Sequence, residues 1–167
     1  MTVIKLLPET WEKMAENAHL ICFNERRPHT FNRIDYALLI VDDNQKPISY
    51  ITVKEFDEET VYWQHGGGMP ETTGFPAWKA YNLAIGWTKE RYKRIFTLIE
   101  NVNTPMLKMA MKAGFRIIGT KVIDGDIMVE HYFDLEGGKN VGSIVTGSFG
   151  HRDELHPTKR EGTTGTS

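Results

Sequence analysis

The chain has 167 residues, 40% of them hydrophobic and 25% charged, which excludes the disordered and fibrous classes and suffices for one domain with its own core. Lys and Arg total 20 against 22 Asp and Glu, a net charge of -2, so no sequence-independent grip on nucleic acid is expected. Cys22 is the single cysteine, which rules out an intrachain disulfide and suits a reducing, cytoplasmic compartment. The longest apolar runs, such as Tyr36 to Val41, fall far short of the roughly 20 residues of a membrane helix. The charged N-terminus (Lys5, Glu9, Glu12 and Lys13) does not read as a signal peptide.

Val3 to Leu6 is a short apolar strand. Trp11, Met14, Ala15, Ala18 and Cys22 then recur at helical spacing, predicting an amphipathic helix over about 9–23 with Thr10 as its cap. Cys22 lies on the apolar face and is expected as a buried small hydrophobe. The stretch 24–34, with Arg26, Arg27 and Pro28, is a loop or a short second helix.

Three strands follow as an antiparallel meander. Tyr36 to Val41 is apolar throughout and expected to be buried on both faces. Ile48 to Glu55 and Thr60 to His65 follow, separated by polar turns. The glycine-dense stretch from Gly66 to Pro76 reads as a loop leading into a helix, because Trp78, Tyr81, Ala84, Ile85 and Thr88 share one helical face. Lys89, Arg91, Lys93 and Arg94 gather at that helix's end, where cations complement the C-terminal dipole. Ile95 to Glu100 is a buried strand. Thr104-Pro105 starts the next helix, with Thr104 as cap, and Gly114 ends it. Arg116 to Ile123 and Ile127 to Phe133 close the domain as a hairpin around Asp124-Gly125-Asp126.

Beyond Glu136 the composition changes, and 137–167 holds seven of the 15 glycines. The domain is therefore expected over 1–136, followed by a Gly/Thr-rich flexible tail over 137–167. His151 and His156 in that tail lack the companions of a ligand set, so no metal is expected. Connections of this order call for an α/β (α+β mixed) fold: one mixed, mostly antiparallel sheet of about seven strands with helices on both faces.

A Gly-rich loop between strand and helix offers backbone N–H groups to a phosphate. It contains neither Gly-Lys-Ser/Thr nor Gly-x-Gly-x-x-Gly, which excludes a nucleotide-triphosphate loop and leaves a dinucleotide fold unsupported. Further on, Asn103 precedes a short helix that ends at Gly114-Phe115, followed by Arg116-Ile117-Ile118-Gly119. This spacing, with the order of elements over about 1–135, resembles the GNAT superfamily of acyl-CoA N-acyltransferases. Within it the chain is most similar to small GNAT-like proteins of tailed phages, the internal virion type included.

The resemblance implies an N-acyltransferase moving an acyl group, with acetyl-CoA or another acyl-CoA as co-substrate, to an amine of a small molecule or protein. It places the pyrophosphate at Thr72, Thr73 and Gly74, in a loop that keeps the family's Pro70, Glu71 and Gly74 but carries Thr73 for Arg/Gln and Pro76 for the last Gly. Asn103 and Met106 fall where the pantetheine arm inserts between two strands, and Trp63 is core or a pocket wall. The position of the family's general-acid Tyr holds Ala110. His65 and Glu100, each at a strand end, are the candidate bases, and a backbone N–H near Trp63 to His65 would polarise the carbonyl. The alternative reading is a catalytically degenerate GNAT-fold phage or virion structural part that assembles through its tail. Host cytoplasm or virion would then be its location.

Overall fold

The computed structural model describes residues 1–24 and 33–135. Arg26, Arg27, Pro28 and the expected tail over 137–167, with His151 and His156, lie outside the described residues. The elements in chain order are β1 (Thr2–Leu6), α1 (Pro8–Phe23), β2 (Tyr36–Val41), β3 (Pro47–Glu55), β4 (Thr60–Gly68), α2 (Phe75–Lys89), β5 (Arg94–Glu100), α3 (Thr104–Ala113), β6 (Arg116–Ile123) and β7 (Asp126–Asp134).

The strands form one seven-stranded sheet in the order β1-β2-β3-β4-β5-β7-β6. Every neighbouring pair is antiparallel except β4 and β5. Helices cover both faces. On one, α1 lays Trp11, Ala15 and Ala18 over Ala37, Leu39, Val41 and Tyr50. On the other, α2 and α3 bring Ala80, Tyr81, Ala84, Ile85 and Ala110 against Leu38, Ile40, Ile51, Val53, Val61, Trp63, Ile95 and Ile99. All six residues of β2 are buried, as an apolar run clad on both faces should be. The expected mixed sheet is therefore the observed one.

Several details differ from the sequence expectation. Thr10 does not cap α1: the helix starts at Pro8, whose missing N–H costs nothing there, and Leu7 O accepts from Thr10 N and Trp11 N. Cys22 is only half-buried. Gly66 to Gly68 are not loop but the end of β4, paired with Ile51, Tyr50 and Ser49. Thr104 is the first helical residue of α3, and the cap is Asn103, whose Oδ1 accepts from Met106 N at 3.2 Å. Gly114 does end α3, at φ 104, a conformation that disfavours any residue with a Cβ. Of the cations at the end of α2, Arg91 donates to Trp87 O at 2.7 Å, whereas Lys93 and Arg94 pair with Glu59 at 2.7 and 3.2 Å.

Candidate active site

The parallel pair at the centre of the sheet is joined only at its base. β4 has nine residues and β5 seven, yet the ladder covers only Thr60–Trp63 against Arg94–Thr97. Beyond Trp63 and Thr97 the strands part: β4 continues to Gly68 along β3, and β5 continues to Glu100 along β7. A bulge marks the parting, since Val53 faces Trp63 and Thr52 faces His65, leaving Gln64 as the extra residue of β4. At the last rung Thr97 Oγ1 donates to Trp63 O at 2.9 Å inside the core. The result is a wedge between two parallel strands, open at their C-terminal ends.

The two faces of the wedge differ. On the α2–α3 side its floor is aromatic. Trp63, 4% exposed, meets Tyr81 edge to face with ring centroids 5.6 Å apart, and both rings lie 6.1 Å from Phe115. Burial pushes the Tyr81 phenol far above its ordinary pKa, so it stays neutral. Ala110 is fully buried in the same cluster.

On the α1 side the wall is polar. His65 is tied through its backbone, its N–H donating to Thr52 Oγ1 at 3.1 Å. Its ring meets that of His19 edge to face, centroids 6.2 Å apart. His19, buried, shares a hydrogen bond with the equally buried Tyr50 Oη, 3.1 Å from Nδ1. The end of α1 is pressed against β4: a Cβ added at Gly67 would stand 3.0 Å from both Cys22 Cβ and the Phe23 ring. The glycine in the strand is what permits that approach. Burial first, and Glu71 second, push the Cys22 thiol up to about 11, so it is no nucleophile at neutral pH.

Glu100 stands exposed at the tip of the β5 arm. It alternates with Phe96 and Leu98, which pack with Tyr62 and Phe56 on the side away from Trp63. His65 and Glu100 thus stand on opposite arms of the wedge, both on the α1 side. Asn103 follows the β5 arm, its N–H donating to Glu100 O at 3.0 Å, and Met106 packs from α3 onto the core.

The loop at the mouth runs from Met69 to Gly74. Thr72 N donates to Met69 O at 2.7 Å, and Glu71 is held by Lys46 at 2.6 Å. Gly74 sits at φ 62 and caps α2, with Pro76 in the first turn. Pro76 has no N–H, which leaves the backbone N–H groups of Gly74, Phe75 and Ala77 as the orphan donors expected of a helix start. Thr72 and Thr73 flank them. The structure thus places Trp63 at the last rung, His65 and Glu100 on the two arms and Asn103 just beyond β5, with Met106 packed on the core from α3 and Thr72, Thr73 and Gly74 in the loop between β4 and α2. His19, Tyr50, Tyr81 and Thr97 escaped the sequence reading as site residues. Only Tyr81 had a signal, its place on the buried face of α2. Among the described residues no group of three or more His, Cys, Asp or Glu stands together as a metal site, and no helix is long and apolar enough to cross a membrane.

No protein-family model and no curated protein matches the chain. Solved structures do. A mutant spermidine/spermine N-acetyltransferase SpeG from Vibrio cholerae aligns at 13% identity over 81% of this chain and 95% of that one, TM-score 0.62. An IAA acetyltransferase from Bacillus cereus aligns at 14% over 80% and 98%, TM-score 0.62. NAA60 of Arabidopsis thaliana, in complex with a bisubstrate analogue, aligns at 14% over 80% and 98%, TM-score 0.57. The chain has the GNAT fold.

Proposed function

We propose that the protein is an N-acyltransferase that moves an acyl group, acetyl foremost, from a coenzyme A thioester to an amine of a small molecule or protein. The observation that carries this reading is the wedge between β4 and β5, set in a sheet shared with acetyltransferases. An extended arm of amides needs backbone partners along its length, and two strand edges turned toward each other offer them. The N–H groups of Gly74, Phe75 and Ala77, with the hydroxyls of Thr72 and Thr73, suit a pyrophosphate at the positive end of α2. Asn103 and Met106 then border the arm from the β5 side.

The acceptor comes from the α1 side, where the two candidate bases stand. An amine attacks only as the free base, so a group must take its proton. His65 is the better placed, because Thr52 holds its backbone and its ring stands beside that of His19; Glu100 serves the other arm. A β4 backbone N–H beside the bulge polarises the acyl carbonyl. The net charge of -2 makes nucleic acid a poor acceptor.

A second reading keeps the fold without the chemistry, as in a phage or virion part assembling through residues 137–167. Ala110 in place of the family's phenol, and Thr73 and Pro76 in the loop, favour it. One experiment separates the two: thermal melting with acetyl-CoA, followed by turnover with a panel of amines. A ligand at about 100 times its Kd adds roughly 2.7 kcal/mol, and each kcal/mol moves the midpoint by about 2–4 °C at this size. The expected shift is about 5–11 °C, with free thiol released. A shift without turnover selects the non-catalytic reading, and no shift at millimolar acetyl-CoA refutes the acyltransferase.

A further inference from the structure

β6 is the last strand of the sheet, and among the described residues no strand pairs with its outer edge. An open edge is a template for another strand unless something blunts or covers it. Beside it the closing hairpin exposes Ile117, Val122 and Ile127, Val122 by 68%. They share one face. Phe133 packs in the core opposite Ile95, and alternation along β7 turns Ile127 to the same α2–α3 side, with Val122 as its cross-strand partner. Ile117, opposite His131, follows. Asn101 N donates to Ile127 O at 2.9 Å, which sets the exposed Val102 next to them. Apolar side chains clustered along an open strand edge mark a contact surface.

We propose that this surface holds a second copy of the chain, β6 pairing antiparallel with β6 across a two-fold axis at Thr120. The charges of the strand select that partner. Arg116 stands at its start and Asp124 just past its end, too far apart to meet within one chain. Under the two-fold, Arg116 of each copy meets Asp124 of the other, whereas a parallel pairing would set like charges together. The same register sets Ile117 and Ile118 against Ile123 and Val122, apolar against apolar. Lys121 on a lone edge discourages pairing, but here it falls opposite Gly119 and not opposite itself. Over Gly119 lies Glu130, since a Cβ there would stand 2.6 Å from Glu130 Oε2. Lys121 and Glu130 share the α1 side of the hairpin, so the ammonium of the second copy arrives beside a carboxylate. Gly119 leaves it the space. The bulge between Ile117 and Gly119 confines regular pairing to the middle of the strand, around Thr120. The dimer needs no coenzyme A, so it stands or falls apart from the acyltransferase reading.

Sedimentation of the full chain tests this. The wild type should run as a dimer. Arg116→Asp and Asp124→Lys each set like charges together at both ends of the interface, and each should weaken the dimer at least about 10-fold. Mixed in equal amounts, the two variants should recover it, because every end contact then joins opposite charges. Val122→Lys, at an exposed site away from the core, should also dissociate the dimer with its circular dichroism unchanged. It covers the case in which Asp124→Lys, at φ 52, disturbs the turn. Hydrogen exchange should find the outward amides of β6 protected in the wild type and open in the monomeric variants. A wild type that stays monomeric at submillimolar concentration overturns the proposal. A dimer that survives Val122→Lys and both charge variants overturns it too, since its interface lies elsewhere. So do two folded charge variants that stay monomeric when mixed. A monomer whose outward β6 amides are protected gives the edge to another segment of the same chain, 136–167 foremost, and overturns it likewise.

Discussion

The lower and upper halves of the β4–β5 pair use the same two strands to opposite ends. Below the last rung, Thr60 to Trp63 and Ile95 to Thr97 are all buried, with Val61, Trp63 and Ile95 in the core beneath α2 and α3. Above it come a bulge, a histidine and three glycines on one arm, and Leu98 to Glu100 on the other. The lower half is all packing, and its residues are set by what they touch. The upper half gives up ladder hydrogen bonds between β4 and β5, and with them stability; under the proposed function those strand edges receive the ligand. Changes below the rung should therefore strike the fold, and changes above it the function.

The largest effects test that division directly. His65→Gln is expected to lower turnover about 10²–10⁴-fold with an unchanged urea midpoint. Trp63→Ala is expected to cost about 3–5 kcal/mol of stability, read from urea unfolding, because Tyr81 and Phe115 lose their common neighbour. If His65→Gln unfolds the protein, the upper half is packing after all. Thr97→Val is smaller and sits on the boundary. It keeps the shape but removes the hydroxyl that donates to Trp63 O, at a cost of about 1–3 kcal/mol.

The smallest effect lies one strand further along the same level. His131 faces Thr97 across β5 and β7 and is fully buried. Burial lowers its pKa from the ordinary 6.5, and the bond to Val129 O opposes this only in part. A depressed folded value means that the neutral ring's stability is complete above about 6.5 and is lost as pH falls through the folded pKa. His131→Gln should flatten this acid loss, seen as melting temperature against pH between 7 and roughly 4. An equally steep loss in the variant would assign the acid sensitivity to other groups.

The core strands, the helix ends and the strand-end candidates His65 and Glu100 were legible in the sequence; the parting of β4 from β5 was not. The run Tyr36 to Val41 announces a strand clad on both sides, and Gly114-Phe115 announces a helix end. Asn103 and Thr104 are both good caps, so local chemistry could not choose between them; the Met106 N–H did. Gly66 to Gly68 carry no side-chain pattern from which to read a strand, and only pairing with β3 makes them one. His19 hides for the opposite reason. It is polar on the buried face of α1, and its justification, Tyr50, lies 31 residues away. The length over which two parallel strands stay joined has no local signature at all.

The most direct test of the account is an amide NMR titration of the protein with coenzyme A. The wedge predicts that the perturbed amides cluster at Gln64 to Gly68, Leu98 to Glu100 and Gly74 to Ala77, while Thr60 to Val61 and Arg94 to Phe96 stay still. Perturbations confined to other surfaces, or none at saturating coenzyme A, would contradict the claim that the opening between β4 and β5 is the binding site.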